Sequence, residues 1–91
     1  MNNLEKARLI INEVDKKMIE LFKERMGAAK LVADYKKENN LPILDKAREE
    51  ALINKNLEVL NNPELKEYYL TFFQGMLKAS KDYQTDLNKK D

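Results

Sequence analysis

From Leu4 to about Glu38 the apolar residues return at helical spacing, and no proline interrupts them. Leu4, Ile11, Met18 and Val32 fall in one heptad row; Ala7, Val14, Leu21, Ala28 and Tyr35 fall in the next. The pattern predicts one long helix over residues 4–38, weakened only at Gly27, where glycine costs roughly 1 kcal/mol relative to alanine. Such a helix is about 50 Å long, whereas a compact chain of this size has an expected radius of gyration of about 12–13 Å. The rest of the chain is too short to cover it. The pattern therefore predicts an oligomer, most simply a two-fold homodimer.

The stretch Asn39-Asn40-Leu41-Pro42 breaks the periodicity. Asp45 is placed to cap a second, shorter helix over about 46–60, with Leu52, Ile53, Leu57 and Leu60 on its inner side. Asn61-Asn62-Pro63-Glu64 is a stop and restart, with Asn62 as cap and Pro63 at the first helical position. The third helix is expected over about 63–87, with Leu65, Tyr69, Phe72, Phe73, Met76, Leu77 and Tyr83 on one broad stripe. It is expected to fray into Asn88-Lys89-Lys90-Asp91. With only two glycines and two prolines, turns are too scarce for a sheet. The expectation is a single all-α domain over 1–91, built from one long, one short and one medium helix.

Composition narrows the chemistry. Seventeen basic residues against 16 acidic ones give a net charge of +1, which is unlike the clustered basic excess of a nucleic-acid-binding domain. With neither Cys nor His, disulfides, a Cys/His metal site and a His- or Cys-based nucleophile are excluded. The start carries no apolar run of signal-peptide type, and no stretch approaches the roughly 18 apolar residues of a membrane span. A cytoplasmic protein is expected. Fourteen of the basic residues are Lys and only three are Arg, namely Arg8, Arg25 and Arg48. A chain that prefers Lys this strongly has reason to keep Arg where a planar, bidentate fork is required.

Polar residues also stand where the period calls for apolar ones. Arg25 takes the slot between Met18 and Val32, while Arg8, Asp15 and Lys36 share a row with Phe22 and Ala29. Arg25 and Lys36 are eleven residues apart, close to three full turns, so both point the same way. Ser80 and Gln84 lie one turn apart within the aromatic stripe, and Asp45, Arg48 and Glu49 cluster at the start of the second helix. Any one of them is accounted for by register-setting in a helical seam or by a long side chain reaching solvent. Together they are too many to bury unpaired, at roughly 1–3 kcal/mol each. A cation-rich pocket for a small ligand with more than one carboxylate or phosphate would satisfy them. Arg8 lies about 25 Å from Arg25 along a straight helix, so it either has no part in that pocket or serves the pocket of an antiparallel partner.

These residues, in this order and spacing, resemble the all-helical (AroQ-class) chorismate mutases over about residues 4–88. The landmarks are Arg8 followed by Asp15, Glu24-Arg25, Lys36, the Leu41-Pro42-Ile43 loop leading into Asp45-Lys46-Ala47-Arg48-Glu49, and Phe73-Gln74 followed by Ser80 and Gln84. The resemblance implies an intertwined homodimeric helical bundle that converts chorismate, a dianion, to prephenate on the route to phenylalanine and tyrosine. It implies no cofactor and no metal. Arg25 and Arg48 then correspond to residues that hold the substrate carboxylates, and Arg8 to an arginine donated by the other subunit. Lys36 and Gln84 correspond to the pair on the ether oxygen, Glu49 to the acceptor of the substrate hydroxyl, and Asp45 and Ser80 to supporting positions. Two other functions fit the same pocket, an isochorismate–pyruvate lyase and a mutase for an amino analogue of chorismate. A non-catalytic helical dimerisation module is the reading of another class. With no further domain to bind phenylalanine or tyrosine, an unregulated enzyme is expected.

Overall fold

The first helix begins on a capping exchange. The Asn2 side chain accepts from the Glu5 backbone N–H at 2.8 Å while its Nδ2 donates to the Glu5 carboxylate at 3.3 Å. The computed structural model describes residues 1–89 and contains three helices: α1 (Asn3–Glu38), α2 (Lys46–Leu60) and α3 (Lys66–Lys89). No strand occurs among these residues. No helix among them is long and apolar enough to cross a membrane.

α1 ends in a Schellman closure. Asn40 adopts a left-handed conformation, φ 55°, which lets the Leu41 N–H reach the Lys36 carbonyl at 2.8 Å and the Asn40 N–H reach Lys37 at 3.4 Å. The Asn39 side chain donates to the Tyr35 carbonyl at 2.9 Å, so the last turn is held twice. Asp45 then caps α2, its side chain accepting from the Arg48 N–H at 3.1 Å. α2 ends on a second left-handed asparagine, Asn61, φ 43°.

The restart differs from expectation. The third helix begins at Lys66, because residues 63–65 form a turn in which the Leu65 N–H is bonded to both the carbonyl and the side chain of Asn62, each at 3.2 Å. Regular i→i+4 bonding starts only with Tyr69 N–H to Leu65. At the other end α3 does not fray at Asn88 and Lys89, which are helical; Asn88 Nδ2 is tied to the Ala33 carbonyl of α1 at 3.4 Å. Lys90 and Asp91, also expected in a frayed tail, lie outside the described residues.

α3 packs against both α1 and α2, which make no comparable contact with each other. Its buried stripe, Phe73 and Leu77, continues into two buried polar residues, Ser80 and Gln84. α1 meets it through Ala29 and Ala33, whose small side chains let the helix backbones approach. Leu52, Ile53, Leu57 and Leu60 of α2 are half-buried.

This core is small for the chain. The molecule extends 55 × 28 × 15 Å with a radius of gyration of 16.5 Å, well above the roughly 12–13 Å of a compact chain this size. Residues 1–24 are all exposed, including Leu4, Ile11, Val14, Met18, Ile19, Leu21 and Phe22. The heptad rows of α1 are therefore present as an apolar face that its own chain leaves uncovered. An apolar groove of about 890 Å³ runs between α1 and α3, walled by Met18, Ile19, Phe22, Phe72 and Met76 and reaching Arg25.

The left-handed turn at Asn40 supplies a stability test. Asn40→Val should lower the unfolding free energy by about 1–2 kcal/mol, while Asn40→Gly, which adopts φ > 0 without strain, should not. Urea unfolding at fixed protein concentration reads the difference.

Candidate active site between the three helices

Because α1 and α2 both lie on α3 without meeting, a wedge of space opens between them. It is a cavity of about 250 Å³ floored by α3. Arg25 and Lys36 reach it from α1, Asp45, Arg48 and Glu49 from the start of α2, and Leu77, Ser80, Lys81 and Gln84 from α3. Ala28, Ala29, Val32, Ile43 and Leu52 complete its walls. Seven of the eight residues expected at the site thus meet in one cavity. Arg8 does not; it is exposed, near the amino end of α1.

Each charged side chain reaches the cavity for a local reason. Arg25 and Lys36 share a face of α1, so one continuous helix supplies two cations about 16 Å apart along its axis. The Arg25 guanidinium lies 5.9 Å from the centroid of the Phe73 ring, a cation–π contact. Phe73 is itself buried and stacked on Tyr69, with ring centroids 5.7 Å apart and planes 14° from parallel. The platform under Arg25 is therefore fixed by core packing. Lys36 Nζ donates to the Ile43 carbonyl at 2.7 Å. The Schellman turn thus brings the connecting loop back over the helix that it leaves, and holds the ammonium at the cavity wall.

On α2, capping and chemistry share one turn: Asp45 accepts from the Arg48 backbone while the Arg48 and Glu49 side chains line the cavity. On α3, Gln84 Nε2 donates to Ser80 Oγ at 3.1 Å, and both residues are more than nine-tenths buried. Gln84 Oε1 is buried with no hydrogen-bond partner. An unpartnered amide oxygen is costly in a protein interior. A ligand in the adjoining cavity can meet the Oε1 acceptor or the Nε2 hydrogen that Ser80 does not take.

Lys81, which is not among the residues expected at the site, sits one turn beyond the buried Leu77 and lines the cavity. It pairs with Glu49 across the α2–α3 boundary at 3.1 Å. Its signal was available, since it lies at i+4 from Leu77, on the flank of the same stripe. In total four cations (Arg25, Lys36, Arg48, Lys81) face two carboxylates (Asp45, Glu49). Neither Arg25 nor Arg48 has a carboxylate partner among the described residues. No group of His, Cys, Asp or Glu among those residues could hold a metal ion. The site can grip a small dianion and present both a charged and a neutral hydrogen-bonding group to it.

The comparisons with known proteins converge on one chemistry. A family model described as chorismate mutase type II matches residues 7–85, a span that contains every candidate site residue, Arg8 included. A curated relative, the bifunctional chorismate mutase/prephenate dehydratase of Buchnera aphidicola subsp. Acyrthosiphon pisum (strain APS), is 36% identical over 81 residues. The match takes in 88% of this chain and 21% of the relative, so the chain spans about a fifth of that protein's length. No solved structure matches it significantly.

The Ser80–Gln84 pair generates a prediction. Ser80→Ala leaves the buried Gln84 amide without its partner, and should lower unfolding free energy by about 1–3 kcal/mol in urea titrations without ligand. An unchanged midpoint and slope would mean that the amide finds another partner.

Proposed function

This chain belongs to the chorismate mutase type II family, and on that footing we propose that it rearranges chorismate to prephenate in the cavity between its three helices. The observation that carries the reading is the pair Arg25 and Arg48, which line one small cavity while neither forms an ion pair with a carboxylate among the described residues. A ligand with two carboxylates supplies what they lack, in bidentate form.

The reaction asks little of side-chain chemistry. It is intramolecular and pericyclic: the ether C–O bond breaks as a new C–C bond forms, with no atom or proton gained or lost. No nucleophile, metal or cofactor is required, which suits a chain without Cys or His. In the proposed roles, Arg25 and Arg48 anchor the two carboxylates and Glu49 accepts from the ring hydroxyl. Three fixed points hold the flexible side chain over the ring in a reactive, chair-like conformer. As the C–O bond stretches, negative charge grows on the ether oxygen. Lys36 and the Gln84 Nε2 hydrogen that Ser80 does not take are the donors proposed to meet it. Lys36 donates to the Ile43 carbonyl, so the substrate would exchange one acceptor for another at a cation already at the cavity wall. Asp45 and Ser80 support, the first by capping α2 and the second by holding Gln84.

The exposed face of α1 supports a homodimer. The apolar groove between α1 and α3 reaches Arg25, which also lines the polar cavity. A second chain seated in the groove therefore arrives at the edge of the cavity. Antiparallel pairing of the long helices would deliver the partner's amino end, with its Arg8, to that edge. The proposed enzyme is a dimer with two shared sites, acting in the cytoplasm.

Two measurements test these roles. Lys36→Ala and Arg25→Ala should each lower kcat/KM for chorismate by at least about 10²-fold, the scale of one lost donor to developing charge, with helical content retained. Near-wild-type turnover by either variant would sink the assignment. For the shared site, Arg8→Ala and Arg48→Ala proteins, each inactive alone, should recover activity when refolded together, since one site of each mixed dimer keeps every residue. Demonstrated mixed dimers without activity would rule out the donated arginine.

A further inference from the structure

Glu49 presents a problem to a cavity built to bind a dianion. Its carboxylate lies in the same small space as Arg25, Lys36 and Arg48. Left to itself it is a counter-ion within the same cavity for the cations that the substrate must reach. Yet Arg25 and Arg48 carry no carboxylate partner among the described residues. What engages Glu49 is Lys81: Nζ lies 3.1 Å from Glu49 Oε2 and 3.4 Å from Oε1, so a single ammonium straddles both oxygens. The side chains are 36% and 23% exposed, which screens the pair less than a surface ion pair. The bond also crosses from α3 to α2, so the carboxylate is referenced to the helix that carries Ser80 and Gln84.

We infer that Lys81 is a positioning residue that clamps the Glu49 carboxylate, keeping it off the arginines and fixing one of its oxygens for the substrate's ring hydroxyl. The inference rests on the proposed mutase reading of the cavity and deepens it. A lysine suits the task better than an arginine anchor would, because a compact point charge can sit against a carboxylate without displacing the planar forks opposite. Lys81 would then touch Glu49 and not the reacting atoms.

The test compares chorismate with an analogue that lacks the ring hydroxyl, across the wild type, Lys81→Met, Lys81→Arg, Glu49→Gln and the Lys81→Met/Glu49→Gln double variant. Thermal melts accompany each. Lys81→Met should lower kcat/KM on chorismate by about 10- to 100-fold, the range governed by one hydrogen bond to a charged group. On the hydroxyl-free analogue the same variant should match wild type within about twofold. Lys81→Arg, which can still pair with the carboxylate, should recover most of the loss, and the double variant should be no worse than Glu49→Gln alone. Equal losses on both substrates, or losses that add in the double variant, would overturn the clamp and make Lys81 a direct ligand or a general structural tie. Wild-type protein inert toward chorismate would sink the mutase reading and this inference together. Wild-type turnover with an unimpaired Lys81→Met would sink the inference alone.

Discussion

α1 and α2 both rest on α3 and do not rest on each other, and the site follows from that constraint. Three helices that all touched would close over a small apolar core. Here the two outer helices diverge, and the space between them is the cavity. Its floor is the same stripe of α3 that forms the core, so Phe73 and Leu77 hold the helices while Ser80 and Gln84, one and two turns on, meet the cavity. Packing becomes chemistry along a single line of residues.

The outer helices are steered by their ends. Asn40 reverses the chain in a left-handed turn, the loop passes its Ile43 carbonyl to Lys36, and Asp45 starts α2 so that Arg48 and Glu49 emerge in its first turn. A short connection thereby sets where three cavity residues stand. The aromatic stack under Arg25 does the equivalent from the core side. Most of the placement is achieved by groups that touch no ligand.

Much of this was legible in the chain itself. Helical periodicity, broken by proline only at the two junctions, pointed to the three helices, and Asp45 before an apolar-periodic run pointed to the cap. The eleven-residue spacing put Arg25 and Lys36 on one face. What spacing could not give is which faces meet. The heptad rows of α1 read as an apolar face that the rest of the chain is too short to cover, and Leu4, Ile11 and Met18 are indeed exposed. That its own chain buries it instead at Ala29 and Ala33 was not legible, because periodicity reports that a face is apolar and not what covers it. Pro63 looked like a first helical residue, but the bonds that Asn62 makes to Leu65 hold residues 63–65 in a turn. Lys81 was passed over for a different reason: its place at i+4 from Leu77 put it on the flank of the stripe, but one lysine among fourteen stands out only once Glu49 is seen beside it.

The buried Ser80 and Gln84 have a consequence for how this fold tolerates change. They occupy positions that the helical stripe would otherwise give to apolar residues, and one amide oxygen there is left without a partner. Replacing both with apolar residues of similar volume would remove the unmet hydrogen-bonding demand and extend the core by two turns. The fold thus forgoes stability at the point where it is most useful to do so. Selection for thermal resistance alone would erode the cavity floor at these two positions first, leaving a sturdier bundle whose cavity keeps its cations and loses its buried amide.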